Sequence, residues 1–158
     1  MADVVPQRHK RHTARGIVVR GGQILLMERW RPRMHYFSIP GGGIEAGETP
    51  ETTIVREILE ETTVSVAVER QVLEMRDGRY RHRIYLCRYV SGEPRLPADA
   101  PESLHMTAAN RFQPAWVDID HLPKLPFTYW QPLQQPLITG LRAGFPPEIT
   151  IVSARPAS

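Results

Sequence analysis

Apolar and polar positions along the chain fall into blocks whose period changes from two to nearly four and back. Between Thr13 and Arg29, two apolar runs, Ile17–Val19 and Ile24–Met27, flank Gly21-Gly22. A glycine pair there supplies the positive φ of a tight turn, so a hairpin is expected. A basic loop with Pro32 precedes a short strand, Tyr36–Ile39, and then a glycine-dense loop, Gly41-Gly42-Gly43 with Gly47. Thr49-Pro50-Glu51 opens a helix, with threonine as N-cap, proline in the first helical position and an acid in the first turn. This helix is expected to reach Thr62. The β-branched Val64, Val66 and Val68 read as strand, and Asp77-Gly78 turns a second hairpin between Val72–Met75 and Tyr80–Val90. Ten of the 15 prolines lie between Pro94 and Pro147, so that half is expected in short pieces. These are a strand over Phe112–Asp118, a helix over Pro132–Leu141 disturbed by Pro136, and a last strand or ordered tail over Glu148–Ser153. No internal repeat or second domain is visible.

The helix Thr49–Thr62 carries the unusual pattern. With Ile54 at the origin, Ile58, Val55 and Leu59 fall at about 40°, 100° and 140°, an apolar arc expected to face a core. Glu60, Glu57 and Glu61 fall at about 240°, 300° and 340°, a second face. Carboxylates spaced three and four residues apart repel one another, so an isolated helix gains nothing from them. Two readings are open, a solvated acidic face and a divalent-metal site. A solvated face usually mixes signs, whereas the only base in the helix, Arg56, lies to one side at about 200°. The glycine-rich loop before the helix would let backbone carbonyls and a ligand come close. Carboxylate and carbonyl oxygens are the donors that Mg2+ or Mn2+ requires.

Composition narrows the class. A chain of 158 residues with 41% hydrophobic and 23% charged positions suits one soluble globular domain. No apolar run approaches the roughly 18 residues that span a bilayer, and Met1–His12 lacks the apolar core of a signal peptide. A cytoplasmic protein without membrane association is expected. A single cysteine, Cys87, excludes an internal disulfide and a Cys-rich zinc site; its apolar neighbours Ile84, Tyr85 and Leu86 suggest a buried small hydrophobe. The net charge is +3 and the pI about 9.3, yet six glutamates and one base occupy Glu45–Glu61. Basic clusters stand at Arg8–Arg11, at Arg29, Arg31 and Arg33, and at Arg76, Arg79, Arg81 and Arg83. An acidic segment in a basic protein suggests a cation site among groups that welcome an anion.

The run Gly42-Gly43-Ile44-Glu45-Ala46-Gly47-Glu48, continuing to Arg56-Glu57-Ile58-Leu59-Glu60-Glu61, resembles the Nudix box in every charged position and in spacing. The motif is highly specific, and Ile39-Pro40-Gly41 resembles the strand-to-loop passage common in the family. One position departs: the closing glycine is Thr63, followed by the apolar Val64. A β-branched residue is disfavoured in the left-handed conformation that ends a helix, so the helix is expected to end differently or run longer.

The resemblance implies an α/β fold, the Nudix-type α/β/α sandwich around a mixed β-sheet, with a basic N-terminal tail over 1–12 and a single hydrolase domain over 13–158. It covers the box strongly and about the first 120 residues loosely. It implies metal ligation by Glu57, Glu60 and Glu61 with the Gly41 carbonyl, and an Arg56–Glu48 ion pair that orients helix and loop next to Gly42. The implied chemistry is hydrolysis at phosphorus by metal-activated water, with Mg2+ or Mn2+ as cofactor. Glu57, Glu60 and a later acid, Glu102, are the candidate bases.

For the substrate, a small nucleotide such as a (d)NTP is the leading expectation, and ADP-ribose or a dinucleoside polyphosphate is the alternative. Arg29 resembles a phosphate-contacting arginine of the family, and Arg31 and Arg33 could act similarly. Phe37 or Tyr36 could stack on a base, although strand alternation assigns one of them to the core. Asn110, before Phe112 and Trp116, resembles a base-reading position of the MutT-like branch; Trp116 is read as core packing. The chain lacks the SQPWPFP-like motif of NADH pyrophosphatases, the upstream signature of coenzyme A hydrolases and the downstream proline of many ADP-ribose pyrophosphatases. Tyr80 stands near that last position, in weak resemblance to diadenosine polyphosphate hydrolases. Two rivals belong to other classes: a non-catalytic nucleotide sensor, and a protein that binds RNA 5′ ends through Arg8-His9-Lys10-Arg11-His12. Nucleic acid is the less favoured partner, because Arg79, Arg81 and Arg83 alternate on a strand face that could simply meet solvent. A homodimer is compatible with the family.

Overall fold

The computed structural model describes residues 11–96 and 106–154. The chain runs β1 (Arg11–Arg20), β2 (Gln23–Arg31), β3 (Met34–Ser38), β4 (Gly41–Gly43), α1 (Pro50–Thr62), β5 (Ser65–Arg76), β6 (Tyr80–Ser91), β7 (Arg111–Asp118), α2 (Gln131–Ala143) and β8 (Thr150–Ser153). Short 3-10 turns at Ile119–Lys124 and Thr128–Trp130 join β7 to α2. The first strand begins at Arg11, two residues before the expected start at Thr13.

The eight strands form one mixed sheet in the order β3-β2-β1-β6-β5-β8, with β4 added to β1 and β7 to β2. Strand alternation sends successive side chains to opposite faces. Ile17, Ile24 and Leu26 therefore pack with Leu133, Leu137 and Ile138 of α2, while Val18 and Leu25 pack with Ile54 and Ile58 of α1. One helix on each face gives the α/β/α sandwich. Trp116 packs against the α1-side cluster, as the apolar pattern suggested.

The β1–β2 turn is the two-residue turn expected, with Arg20 opposite Gln23 and Gly21 at φ 59°. Past it the two strands part. The segment 34–43 wedges between them, β3 pairing with β2 and β4 pairing with β1. The glycine run read as loop is thus a short strand, with Gly41 opposite Arg15. Gly41 has φ 150°, and a Cβ there would stand 2.2 Å from the Ala14 carbonyl oxygen, so only glycine fits.

Three further expectations change. The segments 64–68 and 72–75 belong to one long strand, β5, whose register shifts at Val68/Arg70 and Gln71/Leu73 absorb the polar interruption. In the β5–β6 turn, Gly78 is not among the glycines with positive φ. The Asp77 carboxylate shapes that turn by accepting the Arg79 and Tyr80 amides at 2.7 and 2.6 Å. Arg81 and Arg83 do not simply face water: with Arg76 they converge on Glu74, which is 5% exposed. Burial alone would raise the Glu74 pKa, but Arg76 and Arg81 hold it below the usual carboxylate range.

The end of α1 also differs from expectation. Thr63 adopts the left-handed conformation itself, φ 64° and ψ 8°, and its amide caps the Leu59 carbonyl. Its hydroxyl donates to the Glu93 carbonyl at 2.7 Å, which offsets the strain and lets threonine end the helix as glycine would. Left-handed backbone costs an L-residue roughly 1–2 kcal/mol. We therefore expect Thr63→Ala, which keeps the strain and loses the hydrogen bond, to destabilise the protein by about 1 kcal/mol. Thr63→Gly should be more stable than Thr63→Ala in urea denaturation; an alanine variant at least as stable as the glycine variant would contradict this account of the cap.

Candidate active site

The site lies where β1 and β2 part and α1 crosses the opening. Thr49 caps α1 in a reciprocal arrangement with Thr52, and Pro50 occupies its first turn, so the helix starts where the glycine loop ends. The buried side of α1 is not the expected arc. Val55 and Leu59 are 40% and 48% exposed, whereas Thr53, Ile54, Ile58 and Thr62 are buried. In helical projection these span about 260° through zero to about 80°, and Glu57 and Glu61 fall inside that range. The helix is turned about its axis so that two glutamates share its inner side.

Glu57 lies against the backbone of the loop: a Cβ on Gly42 would stand 2.6 Å from its carboxyl carbon. Glu61 is the more deeply placed. Burial, reinforced by repulsion from Glu57, raises its pKa to about 7, opposed by Arg15, Arg29 and the Gly41 amide. Its Oε2 is buried without a hydrogen-bond partner among the described residues. Glu60 sits on the outer side, 58% exposed, and meets Arg56 at 3.3 Å. Among the described residues no three His, Cys, Asp or Glu side chains converge closely enough to hold a metal ion by themselves. The structure therefore brings Glu57 and Glu61 together with Gly41 and leaves Glu60 turned toward Arg56.

Arg56 links the outer side. It grips Glu48 with two bonds of 2.8 Å and also reaches Glu57 at 3.0 Å and Glu45 at 3.8 Å. Glu48 further accepts the Glu45 amide and the Thr53 hydroxyl. Arg56, with the Glu45 amide, holds the Glu48 pKa at about 2. One guanidinium thus ties the glycine loop to the helix and balances the acids that face it.

Arg29 reaches the site from β2, where it lies over the Phe112 ring and acts through space on Glu61. Phe37 is 7% exposed within the α2-side core, and Tyr36 is 8% exposed, so both are buried. Asn110 is exposed in a turn closed by backbone bonds with Thr107, ahead of β7. Glu102 lies outside the described residues.

Sequence reasoning missed a second group. Arg15 of β1 places its guanidinium 4.2 Å from the Trp130 ring centroid and donates from Nη1 to the Ile39 carbonyl at 2.8 Å. Beside it runs a directional chain: the Thr13 hydroxyl donates to His82 Nδ1 at 2.6 Å, and His82 Nε2 donates to the Tyr129 oxygen at 3.0 Å. Tyr129 in turn donates to the Asp77 carboxylate. The Asp77 carboxylate can only accept, so Tyr129 spends its proton there and its oxygen must accept from His82, which sets the neutral tautomer with the proton on Nε2. No local motif marks these residues; an arginine at an inward strand position, Arg15 between Ala14 and Gly16, was the one available signal.

The chain matches the NUDIX domain over residues 10–138. It belongs to the Nudix hydrolase family. It is 32% identical over 122 residues to an ADP-ribose pyrophosphatase of Methanocaldococcus jannaschii, covering 72% of this chain and 65% of that protein. It is 33% identical over 112 residues to a putative 8-oxo-dGTP diphosphatase 2 of Mycobacterium tuberculosis, covering 66% of this chain and 79% of the relative. A MutT NUDIX hydrolase from Burkholderia pseudomallei shares the fold with a TM-score of 0.59 and 27% identity over 78% of this chain and 94% of that one.

The geometry around His82 yields a pH prediction. Burial, with Arg15 of β1, lowers its pKa to about 4, while Asp77 in the β5–β6 turn acts in the opposite direction. The ordinary value is near 6.5. Between about pH 4 and 6.5 the unfolded state therefore binds more protons. This contribution to stability is complete above pH 6.5 and is lost as pH falls toward 4. In thermal melts across this window, His82→Gln should show a shallower loss of Tm with acid than the native protein; parallel profiles would refute the assignment.

Proposed function

We propose that this chain is a metal-dependent pyrophosphohydrolase that cleaves a phosphoanhydride bond of a nucleoside diphosphate derivative. The observation that carries the reading is the pair Glu57 and Glu61, turned inward against Gly41 and Gly42 at the parting of β1 and β2. Arg56 meets Glu57 from the outer side, but two repelling, half-buried carboxylates on the inner side of a helix are best stabilised by a cation held between them. The donors fit Mg2+ or Mn2+: all are hard oxygens, and one buried Glu61 oxygen lacks a hydrogen-bond partner among the described residues. Glu57 and Glu61 would hold the ion, with Glu60 and the Gly41 carbonyl as further ligands. When bound, such an ion neutralises phosphate charge and lowers the pKa of the attacking water.

The residues of the chain supply the rest. Arg56 holds the loop against the helix, Arg29 offers positive charge to a phosphate from β2, and Glu57, Glu60 or Glu102 takes the proton from water. The names of the relatives support ADP-ribose, an NAD-capped RNA or an oxidised (d)NTP as substrate; we favour the (d)NTP. We read residues 13–158 as a single domain. The described residues contain no helix long and apolar enough to cross a membrane. Of the features behind the RNA-end reading, the arginines near Tyr80 lend it little, because Arg76, Arg81 and Arg83 are engaged by Glu74, whereas the NAD-capped RNA hydrolases among the relatives speak for it.

A panel of dNTPs, oxidised dGTP, ADP-ribose, dinucleoside polyphosphates and 5′-triphosphorylated RNA, each with Mg2+ or Mn2+, tests the proposal. We expect metal-dependent turnover of at least one nucleotide and a fall in kcat of roughly a hundredfold or more in Glu57→Gln and Glu60→Gln. Turnover that persists in both variants, or silence of the folded native protein, would overturn it.

A further inference from the structure

Arg15 is a cation whose surroundings do not account for it. It stands opposite Gly41 in the β1–β4 ladder, and a Cβ on Gly41 would fall 2.8 Å from Arg15 Cγ. Trp130 covers the guanidinium at 4.2 Å from the ring centroid. A guanidinium has five N–H donors in a fixed fork. Nη1 is used by the Ile39 carbonyl, and the buried Nε has no hydrogen-bond partner among the described residues. Burial lowers the Arg15 pKa to about 10, whereas Glu61 and Glu57 act on it through space to favour its charge. Such a group is costly unless a further acceptor meets the remaining donors.

The neighbourhood names that acceptor. Arg15 and Arg29 both act on Glu61, and Arg15 also feels Glu57, so two guanidiniums and the two inward carboxylates lie within electrostatic reach of one another around the Gly41 backbone opposite Arg15. An anion held by the arginines and sharing a cation with the carboxylates would satisfy all four groups. A diphosphate has oxygens enough for both sides, and the planar fork suits phosphate. The Thr13–His82–Tyr129–Asp77 chain explains how the arginine is held. It ties the turn Thr128–Trp130 to β1 and to the β5–β6 turn, and so fixes Trp130 over the guanidinium. Tyr129 keeps 41% of its surface exposed beside it.

We propose that Arg15 is a substrate-binding residue that grips a phosphate of the diphosphate group, and that the Thr13–His82–Tyr129–Asp77 chain with Trp130 positions it. The proposal rests on the hydrolase reading above and adds a residue that the Nudix box does not contain. Arg15 does not ligate the metal, so its loss should separate anion binding from cation binding.

The test uses the purified full chain and a non-hydrolysable probe, methylenediphosphonate, titrated calorimetrically in the presence of Mg2+, with Mn2+ binding alone as the second readout. Arg15→Gln should weaken diphosphonate binding by roughly tenfold or more, the loss of charge-assisted hydrogen bonds, and leave Mn2+ affinity within about twofold. Tyr129→Phe should weaken the probe by a few-fold, and adding it to Arg15→Gln should weaken binding little further, because both act through one contact. Arg15→Lys keeps the charge but loses the fork, and it decides the case if Arg15→Gln does not fold: reduced diphosphonate affinity upholds the proposal. Native diphosphonate affinity in a folded Arg15 variant, or equal losses of diphosphonate and Mn2+ binding, would overturn it. Failure of the hydrolase reading would show separately, as a native protein that turns over no nucleotide while Arg15 still governs binding of the probe.

Discussion

Glu57 and Glu61 share the inner side of α1 with Ile54 and Ile58, and the architecture around them answers their mutual repulsion. Turning the helix to place them inside leaves Val55 and Leu59 in water, which forgoes on the order of 1 kcal/mol each of apolar burial. The loop that receives the carboxylates must be glycine at Gly41, where a Cβ would strike the Ala14 carbonyl, and a side chain at Gly42 would displace the Glu57 carboxylate. On the outside, Arg56 balances Glu60, meets Glu57 from its outer side and locks the loop through Glu48. On the inside, Arg15 and Arg29 temper Glu61 without neutralising it.

The sheet supplies the opening. A regular β1–β2 hairpin would pair along its whole length and leave no gap beneath the helix. Here β3 and β4 insert as a wedge, so that Gly41 pairs with Arg15 of β1 while Tyr36 pairs with Arg29 of β2. The wedge thus delivers the glycine backbone and places two arginines on either side of it. From the opposite face, the turn before α2 brings Trp130 onto Arg15. Both layers of the sandwich therefore meet the site, α1 with carboxylates and the α2 approach with aromatic rings.

Much of this was legible locally. The helix start at Thr49-Pro50, most of the strands (not β4, read as loop, nor the continuity of β5), the Gly21-Gly22 turn and the box residues follow from short-range chemistry. The rotation of α1 was not legible, because the apolar moment of Ile54, Val55, Ile58 and Leu59 points away from the side that is buried. Hydrophobicity alone would turn Val55 and Leu59 inward, and only the loop contacts of Glu57 and Glu61 reverse that preference. The arginine pocket was hidden for another reason. Thr13 and His82 are 69 positions apart and His82 and Tyr129 are 47, so their union depends on the parallel β1–β6 pairing and on the 3-10 turn before α2. Likewise Arg81 and Arg83 looked like a solvated face because their partner Glu74 belongs to the neighbouring strand.

The central claim is that the inward carboxylates of α1 exist to hold a divalent cation. Electron paramagnetic resonance of Mn2+ titrated into the native protein and into Glu57→Gln/Glu61→Gln tests it without reference to any substrate. The account predicts a bound Mn2+ signal in the native protein that is lost in the double variant, which should fold at least as stably once the repulsion is removed. Equal Mn2+ binding by both proteins, or none by the native chain, would contradict it.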